Sequence, residues 1–224
     1  MDESPGKLEG GLQATALSAL LVLLAAFAVE LSAGVAQEPL EVVRPVAEYQ
    51  ELLLHRPGAL RAVFALDHLF IASYLSFFAL LAAYLWKLGR PRLVVGTAFG
   101  LLLATAVLDL FENVHILAML AAAEQGRPPT PARIDFQAVL STVKFQLSYL
   151  GQVLIGLVFP RETWLEKATV LALIFVQLPV GVLIHTGPKP LAQWLELVRF
   201  GFFLVAFAGS FEIFRVRRKR ALTP

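Results

Sequence analysis

Six long blocks of apolar residues constrain the fold of this chain more than any other feature. Their approximate ranges are 11–35, 61–86, 93–123, 136–159, 168–185 and 191–214. Each is close to the length of about 20 residues with which an α-helix crosses a bilayer core. Helices are the expected spanning element, because open strands leave backbone groups unpaired in lipid. The sequence predicts an all-α, polytopic transmembrane helix bundle of about six spans, forming one membrane domain over residues 1–224.

Composition supports a membrane protein. Of the 224 residues, 58% are hydrophobic and 16% are charged, whereas soluble domains carry about 25% charged residues. The chain has no cysteine, which excludes disulfides and thiolate chemistry. The net charge of +2 comes from basic residues in short connections and in the tail, so we expect the lipid bilayer, and no nucleic acid, as a partner.

The distribution of Lys and Arg predicts the orientation. The connection between the second and third blocks contains Lys87, Arg90 and Arg92, and the tail is strongly basic over residues 215–220. Six spans place these two segments on the same side, which the positive-inside rule makes cytoplasmic. Both termini are therefore predicted to lie inside, in a multi-pass protein of a prokaryotic plasma membrane.

The first apolar block has two interpretations. Small residues at Gly34, Val35 and Ala36 would suit cleavage of a signal peptide. However, the leader is acidic, and the apolar stretch exceeds the roughly 7–15 residues of a signal-peptide core. We favour a retained membrane anchor.

The outer loop at residues 36–60 contains a candidate amphipathic helix between Pro45 and Arg56. At helical spacing, one face is polar and the other apolar. The two sets are Glu48, Glu51 and His55 on one side, and Val46, Tyr49 and Leu53 on the other. We interpret this segment as a solvated helix on the outer side, with a lid or binding element as the alternative.

Ionisable residues inside the blocks are the main functional signal, because each costs about 2.5–3.5 kcal/mol at the centre of a span. The third block contains Asp109, Glu112, Asn113 and Ile116 at the i, i+3, i+4, i+7 positions of one helix face. That face is predicted to point into the bundle. His115 flanks it.

The fourth block supplies a matching cation, Lys144. Two carboxylates one turn apart in a low-dielectric interior do not readily ionise together unless a cation is near. We therefore predict that Lys144 pairs with Glu112 or Asp109. With Asp67 and His68 in the second block, these residues predict a polar cavity that opens to the outer side.

Other motifs contribute less. The side chains of His68, His115 and His185, with Asp67 and Glu112, are acceptable zinc ligands, but no tight metal-binding spacing is present and no metal is assigned. There is no nucleotide or nucleophile motif, so the cofactor stays unassigned. Gly96 and Gly100 form a G-x-x-x-G pattern, which is typical of close helix packing.

Three functions remain open. The first is proton-linked transport or binding of a small solute. In it, Asp109 and Glu112 hold a proton or cation, Lys144 sets their pKa, and His115 relays protons to the outer face. The second is an intramembrane enzyme, acting on lipid and using a metal or a general base. The third is an accessory subunit whose polar face meets a membrane-complex partner or another copy of the chain.

Overall fold

The computed structural model describes residues 6–186 and 188–222. Within these residues the chain forms eight α-helices and a short 3-10 turn at Glu38–Leu40. The α-helices are Lys7–Ala33 (α1), Val46–His55 (α2), Pro57–Lys87 (α3), Arg92–Glu124 (α4), Pro131–Val158 (α5), Trp164–Phe175 (α6), Gln177–Thr186 (α7) and Lys189–Leu222 (α8).

Six helical segments of the described chain are long and apolar enough to cross a membrane. Four of them are α1, α3, α4 and α5, the fifth combines α6 with most of α7 as Trp164–Ile184, and the sixth is Trp194–Leu222 within α8. The predicted all-α, six-span architecture is therefore confirmed. Most helices extend a few residues beyond the predicted blocks, because the blocks are defined by apolar residues and the helix ends include polar ones.

Local sequence explains several helix boundaries. Pro57 and Pro131 begin α3 and α5, where a missing backbone N–H removes no helical hydrogen bond. Thr163 caps α6 through a capping box with Glu166. Gly89, just beyond the end of α3, has a φ of 71°, a left-handed conformation that glycine adopts without steric cost.

The fifth span is interrupted once. Helix α6 ends at Phe175 and α7 begins at Gln177. Pro179 has no N–H to donate to the Phe175 carbonyl, which weakens the helix at this point. Hydrogen bonds from Val176 N to Ala172 O, 3.1 Å, and from Val180 N to Val176 O, 3.0 Å, continue the helical path across the interruption.

The described residues group into two compact units. Unit 2 comprises Leu21–Ala72 and Ala104–Phe145, and it contains the residues of the predicted polar site. In its apolar core, α2 packs through Tyr49 and Leu53, on the face that the sequence predicts to be apolar. The same core includes these fully or nearly fully buried residues of the neighbouring segments: Leu40, Leu60, Phe64, Ile116, Met119, Leu120, Ala123 and Ile134.

The described part of unit 1 comprises residues 6–20, 73–103, 146–186 and 188–222. Its core contains edge-to-face aromatic pairs around Phe214, whose ring centroid lies 5.4 Å from that of Tyr84 and 6.3 Å from that of Phe77. Such pairs contribute beyond the apolar area that they bury.

An ion-pair network in unit 1 ties α8 to the start of α6. Arg217 Nε donates to Glu166 Oε1 at 2.7 Å, and Arg217 Nη1 donates to the Tyr84 hydroxyl at 2.9 Å. Arg217 also lies 3.2 Å from Glu162. One residue of the basic tail is therefore engaged inside the protein.

The G-x-x-x-G expectation is wrong for helix packing. A Cβ atom at Gly96 or Gly100 would meet no atom of another helix within 4 Å, so this stripe makes no close approach to the other described helices. The tight contacts occur instead at glycines of α5 and α7. At Gly151, for example, a Cβ would lie 2.8 Å from Leu102 Cγ.

Candidate functional site

Lys144 of α5 lies among three carboxylates in unit 2. Its Nζ is 2.8 Å from Glu112 Oε2, 2.9 Å from Asp109 Oδ1 and 3.5 Å from Glu41 Oε1. Lys144 is only 3% exposed, and Glu112 is 0% exposed. The predicted pairing of Lys144 with the acids of the third span is confirmed, and it involves both acids.

The geometry of α4 places its two acids on one face. Asp109, Glu112 and Asn113 follow helical spacing, and both Glu112 and Asn113 are completely buried. Neighbouring apolar positions such as Phe111 and Val114 are exposed, as expected for a lipid-facing surface. The predicted inward orientation of the polar face is thus confirmed.

A hydrogen-bonded branch adds a fourth carboxyl group. Asn113 Nδ2 donates to Asp67 Oδ2 at 2.6 Å, and Gln37 Nε2 donates to Asn113 Oδ1 at 3.5 Å. Asp67 interacts electrostatically with both Asp109 and Lys144. We call the set formed by Glu41, Asp67, Asp109, Glu112, Asn113 and Lys144 the Lys144 cluster.

The connection between α1 and α2 covers this cluster. Gln37 and Glu41 reach it from outside the spans, and Leu40 between them is 1% exposed in the apolar core. The Tyr49 hydroxyl donates to the Leu40 carbonyl at 2.9 Å. The sequence predicts a cavity open to the outer side, whereas this segment packs over the polar residues, because its own apolar side chains join the core.

Tyr49 is electrostatically linked to the cluster. Burial of the Tyr49 hydroxyl raises its pKa above the usual tyrosine range, and the nearby Glu112 and Glu41 carboxylates raise the pKa further. The hydroxyl therefore remains a neutral donor that holds the covering segment in place.

The two described histidines of the predicted site are not in the Lys144 cluster. His68 Nδ1 donates to the Phe64 carbonyl of its own helix at 2.6 Å. His115 Nδ1 donates to Gln137 Oε1 at 2.9 Å, and Gln137 Nε2 donates to Ser141 Oγ at 3.3 Å. Gln137 and Ser141 belong to α5 and precede Lys144 along that helix.

Metal-binding geometry is not found in the described part of the chain. There, no three side chains of His, Cys, Asp or Glu are grouped so that they could hold a metal ion. The side chain of His185, one of the candidate ligands from the sequence, lies outside the described residues.

The charge balance of the Lys144 cluster defines its chemistry. Four carboxyl groups stand against one ammonium group, so complete ionisation would leave excess negative charge in a low-dielectric region. Such a set is stabilised by retained protons or by an additional cation. Glu112 Oε1 is buried and accepts no hydrogen bond from the described residues, so a proton on this oxygen would displace none of them.

Sequence reasoning misses Glu41, Gln37 and Gln137. Each is a polar residue in a segment where polar residues are common: Gln37 and Glu41 lie in the connection between α1 and α2, and Gln137 lies near the start of α5. Their role becomes visible only when the covering segment and the α4–α5 contact are known.

The fold and the Lys144 cluster define an integral membrane protein of the polytopic α-helical class, with a buried charge cluster in its transmembrane region. No known family model, curated protein or solved structure matches the chain. The functional argument therefore depends on the cluster itself.

Proposed function

We propose that the Lys144 cluster binds protons or a small cation, and that the protein uses it for proton-linked binding or transport of a small solute. The observation that carries this proposal is one buried ammonium group, Lys144 Nζ, within 3.5 Å of three carboxylates. Residues of this kind are costly in a membrane and are typical of ion and proton pathways.

The proposed roles follow from the contacts. Asp109 and Glu112 take up the proton or cation, and Lys144 sets their affinity by supplying positive charge at 2.9 Å and 2.8 Å. Asn113 orients Asp67 by donating to its carboxylate. His115 is the proton relay in this scheme; its ring is held by Gln137 beside the Lys144 cluster.

The direction of access rests on the predicted orientation. With both termini inside, Asp67 and the covering segment lie toward the outer side, so protons or cations would enter from there. The covering segment that carries Gln37 and Glu41 would move aside to admit a solute. No observation favours the metal-dependent enzyme over this proposal.

Proton flux into proteoliposomes tests the proposal. Purified protein is reconstituted with a pH-sensitive dye inside the vesicles, and an imposed potential drives proton entry. The wild-type protein should acidify the lumen, and Glu112→Gln should reduce the flux to the background of empty vesicles. Glu212→Gln is the matched control, since Glu212 pairs with Arg215 outside the cluster.

Two results would remove the proposal. Wild-type flux in Glu112→Gln would exclude this carboxylate from the pathway. The second result combines two measurements. If the wild type carries no flux, and the detergent-solubilised wild type and Glu112→Gln take up the same number of protons on acidification, proton binding by the cluster is excluded.

A further inference from the structure

Two stripes of side chains face each other where α5 packs against α6 and α7 in unit 1. Each stripe has the i, i+3, i+7 spacing of one helix face. On α5 the stripe is Tyr149, Gln152 and Gly156, and on the opposite helices it is Ile174, Gln177 and Gly181.

Two glycine contacts fix the register between the stripes. A Cβ at Gly156 would lie 2.9 Å from Ile174 Cγ1, and a Cβ at Gly181 would lie 2.0 Å from Tyr149 Cε2. These contacts are seven residues apart on both sides, 149 to 156 and 174 to 181, and they run in opposite directions. The helices are therefore antiparallel here, and this register brings the middle residues of the two stripes, 152 and 177, to within one residue of the same level, an axial offset of about 1.5 Å.

Those middle residues are both glutamines. Gln177 is 1% exposed, and neither its Oε1 nor its Nε2 has a hydrogen-bond partner among the described residues. Gln152 is 5% exposed, and its Nε2 donates to Ser148 Oγ at 2.9 Å. A buried amide with no partner on either atom is costly, and native proteins normally satisfy such groups with water or a ligand.

We propose that the facing amides of Gln152 and Gln177 form a buried binding site for a small uncharged molecule that offers both a hydrogen-bond donor and an acceptor. Gln177 Nε2 donates to the acceptor of the ligand, and Gln177 Oε1 accepts from its hydroxyl or N–H group. The two stripes contain no carboxylate and no basic group, so the site selects for neutral molecules. Ordered water is the smallest ligand of this class, and primary amides are the next that match both atoms.

High-resolution structures of the full chain in nanodiscs test the site, with and without acetamide as the probe. In the wild-type protein without acetamide, density is expected within about 3 Å of both Gln177 amide atoms, and it should be absent in Gln177→Leu. Larger density after acetamide addition identifies a solute site, whereas unchanged density identifies a structural water. Gln146→Leu, on the same helix but outside the stripe, should retain the wild-type density.

An unfolding measurement provides the second readout. If the Gln177 amide is truly unsatisfied in the membrane, Gln177→Leu should shift the folding equilibrium by about 5- to 150-fold toward the folded state, since leucine removes the desolvation penalty. That stabilisation, or a direct hydrogen bond between the two glutamines with no density beside them, would overturn the proposal. Unchanged or reduced stability of Gln177→Leu is expected. The Lys144 cluster shares no residue with this site, so either proposal can fail while the other stands.

Discussion

Replacing Lys144 with methionine removes the ammonium group that contacts three carboxylates, while it keeps most of the side-chain volume. Glu112, at 0% exposure, then loses the cation that lies 2.8 Å from its Oε2. Breaking a buried ion pair by removing one partner costs about 3–5 kcal/mol, because the other charge remains buried. We therefore expect Lys144→Met to lower the free energy of unfolding by about this amount.

The triple variant Lys144→Met, Asp109→Asn and Glu112→Gln separates charge from packing. It removes the cation together with the two acids nearest to it, so fewer buried carboxylates are left without a counter-charge than in the single variant. The triple variant should therefore be more stable than the single variant. Lys87→Met is the matched control, since Lys87 is exposed at the end of α3, and it should change stability by less than about 0.5 kcal/mol.

Equilibrium unfolding in mixed micelles provides the measurement. Sodium dodecyl sulfate is titrated into dodecyl maltoside micelles, and unfolding is followed by far-UV circular dichroism and by fluorescence of the 3 tryptophans. A single variant within about 1 kcal/mol of the wild type would refute the buried ion pair as a strong interaction. A triple variant that is less stable than the single one would refute the charge argument.

Three further predictions use the same unfolding assay or a local probe. Tyr49→Phe should loosen the covering segment by about 0.5–1.5 kcal/mol, seen as faster hydrogen exchange over residues 37–55. In the wild type, the pKa of Tyr49 is higher in the folded state than the ordinary tyrosine value of about 10. The protection of this segment should therefore fall as the pH rises beyond about 10, and it should fall less in Tyr49→Phe. Arg217→Ala should cost about 3 kcal/mol by leaving the buried acid at the start of α6 without its guanidinium, whereas Arg220→Ala, in the exposed tail, should be near neutral. Gly181→Ala should cost about 1–3 kcal/mol or more, because the new methyl would overlap an aromatic ring, whereas Gly96→Ala, with open space around it, should gain up to about 1 kcal/mol of helix propensity. If Gly181→Ala and Gly96→Ala change the free energy of unfolding equally, the tight contact between α5 and α7 is contradicted.

The six spans and the polar face of α4 could be predicted from sequence, because both depend on local periodicity. Apolar block length sets the helices, and the spacing of Asp109, Glu112 and Asn113 sets the face. The partner of these acids was also predictable, since a buried lysine in the next span needs negative charge nearby. In the low-dielectric interior of the bundle, an ion pair is the main way to stabilise a lysine and the acids of the neighbouring span.

The contacts of neutral polar residues, loop residues and glycines could not be predicted from the sequence. Glu41 joins the cluster only because Leu40 and Tyr49 anchor the covering segment, which is a tertiary effect without a sequence period. His115 bonds to Gln137, but α5 contains several neutral polar residues, and their hydrogen bonds to a histidine would have similar energies. The sequence therefore does not identify the partner. The packing glycines likewise depend on which helices meet, so the G-x-x-x-G pattern indicates the wrong contact.

The origin of Glu41 outside the spans has a consequence for biogenesis. The acids of α4 and the lysine of α5 enter the bilayer on separate segments, and each is unfavourable there until the other arrives. The last carboxylate of the trio reaches Lys144 Nζ from the loop between α1 and α2, so this contact requires α5 to be in place. A chain truncated before α5 lacks this ammonium group, so its loop between α1 and α2 should be cut by added protease faster than the same loop in the full chain.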